Sequence, residues 1–333
     1  MKHINPERGQ DIAAFATYTR QGISAGEYDR YPMMLRAIGD SEDLSPDHRM
    51  WRLLWVVALY HPAGAEQAWN QYPDPKIITG PARFPTKSER RGFRGNDKAA
   101  DFMNAAIRAA EPFGGLYAWA NDAAAADNPV VGWERVRASM EALPGAGPWT
   151  SYKWAQWVRR ELGADIRPES MGVAGDPSAR GPAQGLAHLT GLPWREAVAD
   201  RAAQQRVWDA AQAAGAQMDD WADFHTAACG WDSIVKGHEY IGVDLDKDME
   251  LLPAGSAWWA ARGKVLDPGY LGEVGGWTGV RKHLLSAYAD TGALVYPANT
   301  RGAPGLLTAR PKSRARLMAE HVSAFVVASE IAP

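Results

Sequence analysis

The sequence predicts a mainly α-helical protein, and three observations lead to that fold class. Apolar residues recur at helical spacing along nearly the whole chain. Alternating runs rich in Val, Ile and Thr, which are typical of half-buried strands, are scarce. No sequence repeat of about 20 to 50 residues is visible, which argues against a helical solenoid.

The helices follow from that periodicity. Ser45 stands directly before Pro46, so a capping hydroxyl precedes a first-turn proline. The predicted helices are Ile12 to Tyr18, Pro32 to Ile38, Pro46 to Tyr60, Ala63 to Trp69, Asp97 to Ala110, Gly115 to Ala126, Trp133 to Leu143, Trp149 to Leu162, Trp194 to Ala214, Met218 to Cys229, Val280 to Ala289 and Ser313 to Ser329. The best strand candidates, Tyr240 to Val243 and Ala293 to Tyr296, are both short.

Long Gly/Pro-rich segments separate some of these helices and are predicted to be irregular. They are Tyr72 to Gly95, Gly163 to Gly191 and Pro297 to Pro311. Loops of this length in a compact chain are usually functional or disordered. A domain boundary is predicted near Leu251 to Gly255, which leaves residues 251–333 as a C-terminal helical extension.

Composition is that of a globular protein, with 46% hydrophobic and 23% charged residues in a chain of 333. The net charge of −3 provides no overall positive field, so any nucleic-acid surface must be local. The single cysteine, Cys229, excludes an internal disulfide, a Cys-rich zinc module and a four-Cys iron–sulfur cluster. We expect most of the 15 tryptophans to lie in the core.

The N-terminus carries no apolar segment of the kind found in signal peptides. The most apolar run, around Trp51 to Tyr60, is too short to span a bilayer. We therefore expect a soluble, cytoplasmic protein without a membrane partner.

The most informative stretch is LPGAGPWTSYKWAQWVRREL, a Gly-Pro turn between two predicted helices over residues 133–162. Gly145 and Gly147 permit positive φ and a close approach of backbone N–H groups to an anion. Pro148 suits a first helical turn, and the amides of that turn carry the positive end of the helix dipole. The turn therefore predicts a phosphate site.

The helix after the turn has two stripes of residues. Its apolar stripe follows core spacing, whereas Lys153, Gln156 and Arg160 share another face. This second stripe would follow a nucleic-acid backbone or bind further phosphates. The alternative is a plain helical hairpin with a solvated basic face.

A second basic stretch, FPTKSERRGFRGNDK, runs from Phe84 to Lys98. Arginine forks bind phosphate oxygens bidentately, so this stretch suits a pyrophosphate or a DNA backbone. The alternative is a solvated basic loop. Its basic residues are Lys87, Arg90, Arg91, Arg94 and Lys98.

Two further loops carry candidate catalytic groups. Asp176 and Arg180 are close in sequence and would serve as a base and a phosphate clamp, or would form a local salt bridge in a plain turn. His238, in KGHEYIGVD, would act as a base or phosphate ligand, or would be structural.

The hairpin sequence from Leu143 to Thr150 resembles the helix-hairpin-helix of DNA glycosylases, which holds a DNA backbone phosphate. That family requires an aspartate about twenty residues after the threonine, where this chain has Ser170, with Asp165 earlier and Asp176 later. The resemblance therefore covers the phosphate-binding hairpin, but the aspartate that glycosylases need for catalysis is not at its expected position.

The order of the motifs ERRxxRG, GPWxxYKxA, xDPxxxGP and KGHxYxGxD is similar to that of phage amino acid:DNA transferases, also described as α-glutamyl/putrescinyl-thymine pyrophosphorylases. The resemblance covers roughly Arg20 to Asp248. It implies a helix-hairpin-helix, DNA-glycosylase-like helical fold within residues 1–250. No cofactor is implied.

The resemblance also implies an activity, thymine hypermodification in double-stranded DNA. A separate DNA kinase would supply 5-pyrophosphoryloxymethyl-uracil in the DNA. The enzyme would flip that base, release pyrophosphate and attach a free amino acid, with glycine as one candidate donor. The reaction would take place in the host cytoplasm during phage infection.

The roles implied by this resemblance fall into three groups. The proposed DNA contacts are Gly145, Gly147, Trp149, Thr150, Tyr152 and Arg160. The proposed pyrophosphate ligands are Arg90, Arg91, Arg94 and Arg180. The proposed catalytic residues are Asp176, His238 and Lys153, with Lys153 also placed to contact the DNA backbone.

Two alternatives remain at this point. A helix-hairpin-helix glycosylase or lyase would need Asp165 or Asp176 and would release a free base or nick a strand. A non-catalytic DNA-binding protein would use the hairpin alone and would leave DNA composition unchanged.

Overall fold

The computed structural model describes residues 10–24, 26, 28, 30–86, 93, 98–173, 179–235, 257, 258 and 261. The described part is helical and contains no β-strand, so the predicted fold class is confirmed. The helices are α1 (Ile12–Ser24), α2 (Arg30–Ser41), α3 (Pro46–Leu59), α4 (Pro62–Gln71), α5 (Lys98–Ala110), α6 (Leu116–Ala124), α7 (Pro129–Glu141), α8 (Pro148–Leu162), α9 (Arg180–Thr190), α10 (Trp194–Ala199), α11 (Arg201–Ala213) and α12 (Trp221–Val235). A short 3₁₀ helix, Glu111–Phe113, follows α5.

Side-chain caps define where several helices begin. Ser45 accepts a hydrogen bond from the backbone N–H of His48, which confirms the predicted start of α3. Asn128 caps α7 in the same way, and Asp200 caps α11 by accepting from the N–H of Ala203. Because Asp200 is a cap, the single helix predicted over residues 194–214 is two helices, and that prediction is wrong at this position.

Helix α8 lies at the centre of the core. All residues from Thr150 to Val158 are buried, and α8 packs against α2, α3, α6 and α7. A helix that is buried on every side must be covered by several neighbours, which here include large aromatic residues. The fully buried tryptophans are Trp51, Trp55, Trp133, Trp154, Trp157 and Trp231. The expectation that tryptophan mainly builds the core is thus confirmed for these residues.

Helix α9 was not expected, because the sequence from Gly163 to Gly191 is rich in Gly and Pro. Two of its glycines, Gly181 and Gly185, lie on one face and allow α9 to approach α12 closely. A Cβ at Gly185 would lie 1.8 Å from the carbonyl oxygen of Ala228. The glycines therefore serve helix packing here, and the prediction of an irregular segment is wrong for residues 180–190.

Some predicted elements lie outside the described residues. These are the strands Tyr240 to Val243 and Ala293 to Tyr296, the helices Val280 to Ala289 and Ser313 to Ser329, the irregular segment Pro297 to Pro311 and the domain boundary near Leu251 to Gly255. Within the described ranges, no helix is both long enough and apolar enough to cross a membrane.

We expect Gly185→Ala to destabilise the protein by about 3 kcal/mol, because its methyl group would meet the rigid backbone of α12. Gly181→Ala is the matched control. Its Cβ would meet the sulfur of Cys229 at 2.6 Å, and this side chain can rotate away. We expect that variant to lose no more than about 1 kcal/mol. Chemical denaturation followed by circular dichroism measures both values, and equal losses would contradict this account of the α9–α12 contact.

Candidate active site

The turn between α7 and α8 has the two glycines in different backbone conformations. Gly145 has φ of +77°, the left-handed region in which glycine is favoured, as predicted. Gly147 is extended, with φ of −135° and ψ of −177°, so positive φ is not its role. A Cβ at Gly147 would meet no atom within 4 Å, which leaves open space beside the first turn of α8.

Buried contacts fix the position of this turn relative to its two helices. Leu143 is buried beneath the turn, and its carbonyl accepts a hydrogen bond from the N–H of Ala146 at 3.2 Å. Ser151, in the first turn of α8, donates from Oγ to Glu141 of α7. Nε of Arg137, also on α7, donates to Oγ of Ser151 at 3.4 Å, so two contacts join the helices beside the turn. These contacts therefore hold the backbone of the turn in place beside the open space at Gly147.

The arginine-rich stretch touches this same turn through Phe93. Phe93 is buried and packs edge-on against Phe102 of α5, with ring centroids 5.0 Å apart. Its ring also lies beside Gly145, where a Cβ would be 3.4 Å from the ring carbon Cζ. Phe93 thus joins two segments that the sequence singled out separately for phosphate binding.

The stripe containing Lys153, Gln156 and Arg160 is largely buried. Lys153 is 8% exposed and Gln156 is 0% exposed, and the ammonium of Lys153 donates to Oε1 of Gln156 at 2.9 Å. An exposed basic stripe is thus the wrong prediction for these two residues. The physical reason is that α2 and α3 cover this face of α8. Burial of an ammonium is unfavourable unless it is well hydrogen-bonded, which makes Lys153 a candidate for a functional role.

Aromatic rings surround the position of Lys153 along α8. Trp149 and Trp157 lie four residues before and after it, on the same side of the helix. Trp149, which is partly exposed, meets Tyr60 edge-on at 4.9 Å, and Tyr60 stacks on Trp157 at 5.9 Å. Tyr31 of α2 packs edge-on against both Tyr60 and Trp157. The site therefore combines an aromatic surface with a buried amine.

Tyr152 and Thr150 are both buried in the core. The ring of Tyr152 stacks on His225 at 4.6 Å and meets Trp133 edge-on at 5.3 Å. Its hydroxyl is 3.4 Å from the carbonyl oxygen of Trp221. Burial, with a contribution from Asp223, raises the pKa of Tyr152, so the phenol stays neutral. The ring of Tyr152 is thus enclosed in the core, and Thr150 is buried as well.

Arg180 and Arg160 lie on different helices. Arg180 is exposed at the start of α9, next to the Gly181–Cys229 contact with α12. Arg160 is near the end of α8, where it pairs with Asp219.

A histidine–carboxylate pair that the sequence did not indicate joins α9 to α12. Nε2 of His188 lies 3.1 Å from Oδ1 of Asp232, which is buried. His188 follows Gly181 by seven residues, so it shares the glycine face of α9. That spacing was the available signal, but it becomes meaningful only once α9 is known to be a helix.

The remaining predicted site residues lie outside the described part of the chain. They are Arg90, Arg91, Arg94, Asp176 and His238. Among the described residues, no three His, Cys, Asp or Glu side chains are grouped so that they could hold a metal ion.

The family comparison covers most of this site. A family model described as amino acid:DNA transferase matches residues 59–240, which is more than half of the chain. The matched region includes the arginine-rich stretch, the hairpin, α9 and α12. No curated protein matches the chain. The protein therefore belongs to the amino acid:DNA transferase family, whose substrates are DNA and an amino acid.

Proposed function

We propose that the protein hypermodifies thymine positions in double-stranded DNA. It transfers an amino acid onto 5-pyrophosphoryloxymethyl-uracil, and pyrophosphate is released. The incoming nucleophile forms a bond to the exocyclic methylene carbon as the C–O bond to pyrophosphate breaks. The observation that supports the proposal is the contact of Phe93 with Gly145, because Phe93 belongs to the stretch predicted to bind pyrophosphate and Gly145 to the turn predicted to bind DNA.

The arginine-rich stretch supplies the leaving-group site in this proposal. Arg94 follows Phe93 directly in the sequence, and Arg90 and Arg91 precede it by three and two residues. Guanidinium groups neutralise a departing pyrophosphate most effectively when they are held in place before the reaction. Phe93 provides such an anchor because it is buried beside Gly145. Arg180 would complete the set from the start of α9.

The hairpin holds the DNA backbone. The open space at Gly147 and the positive end of the α8 dipole favour a phosphate at this point. The partly exposed Trp149 lies at the same end of α8 and is proposed to stack on the extruded base. Thr150 and Tyr152 would then support the hairpin from the core.

The base that takes the proton from the incoming amine is proposed to be Lys153, Asp176 or His238. Lys153 has the strongest structural support, because buried lysines that lie beside a binding surface are suited to proton transfer. Gln156 fixes the position of its ammonium group. Asp176 and His238 rest on the sequence resemblance.

The reaction depends on chemistry performed elsewhere. A DNA kinase must first install the pyrophosphate on 5-hydroxymethyluracil, which fits a phage that modifies its own DNA in the host cytoplasm. Glycine is the proposed donor among the small amino acids.

The direct test incubates the protein with DNA that carries pyrophosphorylated 5-hydroxymethyluracil and with each amino acid in turn. We expect a new thymidine adduct in the mass spectrum of the digested nucleosides, together with released pyrophosphate. Unmodified DNA is the control. A free base or a nicked strand would indicate a glycosylase or lyase, and DNA that binds without any change would indicate a non-catalytic binding protein.

Gly147→Ala tests the hairpin. Alanine fits the extended backbone, so stability should fall by no more than about 1 kcal/mol. DNA binding should weaken about tenfold, the size expected for loss of one charge-assisted hydrogen bond, as the methyl group fills the open space. Gly163→Ala is the control for DNA affinity, because Gly163 also faces open space but at the other end of α8; its φ of +63° makes alanine unfavourable there, so this variant should lose about 1 kcal/mol of stability. Equal DNA affinities for the two variants in a fluorescence anisotropy titration would exclude a DNA contact at Gly147.

Lys153→Met tests the buried amine. Methionine keeps the apolar stem, so folding and DNA binding should persist, whereas transfer should fall by at least about 100-fold if Lys153 moves the proton. Lys76→Met, at a surface lysine that is 77% exposed, should transfer at the normal rate. A Lys153→Met rate within a few-fold of the wild type would assign the proton transfer to another residue.

A further inference from the structure

A cleft of about 330 Å³ opens at the far end of α8 from the hairpin. Its apolar wall includes Pro32 and Met33 of α2. Its polar side is formed by two arginines and two aspartates: Arg36, Arg160, Asp219 and Asp223. These four come from α2, from α8 and from the segment that begins α12, so only the folded chain brings them together.

The two aspartates lie together beside Arg160. Oδ2 of Asp219 is 3.4 Å from Nη2 of Arg160, and Oδ1 of Asp223 is 3.9 Å from the same nitrogen. The Asp223 side chain is 2% exposed, and its other oxygen accepts a hydrogen bond from the N–H of Asp219. A carboxylate held in this way is a strong partner for a cation in the cleft.

Arg36, which also lines the cleft, has N–H groups that are available to a ligand. Its Nη2 donates to the carbonyl oxygens of Arg160 and Glu161, which fixes the guanidinium at the end of α8. Its Nε and Nη1 have no hydrogen-bond partner among the described residues. A fixed guanidinium with donors to spare is suited to bind a carboxylate.

The charges of the four side chains cancel. A site with no net charge disfavours pyrophosphate, which needs surplus cations, and it disfavours a polyamine, which needs surplus acids. It favours a ligand that carries one positive and one negative group close together. An α-amino acid is such a ligand, and the wall of Pro32 and Met33 offers a surface for its side chain.

We propose that this cleft binds the free α-amino acid donor, with the carboxylate on Arg36 and the ammonium between Asp219 and Asp223. The inference rests on the proposed function and locates one of its two substrates. Arg160 is seven residues after Lys153 on the same face of α8, a distance of about 10 Å along the axis. The cleft is therefore a binding site for the donor on the same face of the central helix, and the amino acid must leave it before Lys153 can take its proton.

Calorimetric titration of the full-length protein without DNA tests the site. We expect at least one of the twenty common α-amino acids to bind, and its amide, acetate, putrescine and pyrophosphate to bind at least tenfold more weakly. Arg36→Gln and Asp219→Asn should each weaken amino acid binding tenfold or more, because each removes a charge-assisted contact.

Arg135→Gln and Asp122→Asn are matched controls on another surface. Arg135 also donates to two backbone carbonyls, those of Ala125 and Asp122, and it pairs with the Asp122 carboxylate. The loss of carbonyl contacts is thus similar, and both controls should bind the amino acid as the wild type does. Thermal unfolding of all four variants shows whether each is folded.

Three results would overturn the inference: no amino acid binds, pyrophosphate or putrescine binds more tightly, or the cleft variants bind as the controls do. The proposed function is judged separately by transfer to modified DNA. Amino acid binding without transfer would count against that function alone. Transfer with an unchanged KM for the amino acid in Arg36→Gln would count against the cleft alone.

Discussion

The burial of α8 from Thr150 to Val158 is the constraint on which the rest of the structure depends. A helix without a solvent-facing side must have neighbours all round, and α2, α3, α6 and α7 provide them. Only the two ends of such a helix can then reach the surface. One end carries the Gly-Pro turn, and the other lies against Arg36 and the cleft.

This arrangement explains why polar side chains occur in the middle of the core. Lys153 donates a hydrogen bond to Gln156, and nearby aromatic residues include Tyr60 and Trp157. An apolar pair would pack there at lower free energy, because burial of an ammonium is costly. Their presence is consistent with the proton transfer that we propose for Lys153.

Most helices could be predicted from apolar spacing, and the hairpin from its glycines and proline. The burial of Lys153 could not, because helical periodicity separates faces without showing which face a neighbour covers. Helix α9 was not predicted, because Gly181 and Gly185 are typical of loops when only the neighbouring residues are considered. Their role depends on α12, more than 40 residues away. The contact of Phe93 with Gly145 is equally non-local.

The family could be inferred from the order of short motifs, because each motif is local. The cleft could not, since Arg36, Arg160 and Asp219 are far apart in sequence and form no pattern. Because its charges cancel, ligand binding in the cleft should depend on ionic strength differently from DNA binding. DNA binding at the hairpin should weaken steeply as salt rises, because counterions are released from the phosphates. A cleft without net charge has only a short-range field, so we expect salt that dissociates DNA to weaken the proposed amino acid binding much less.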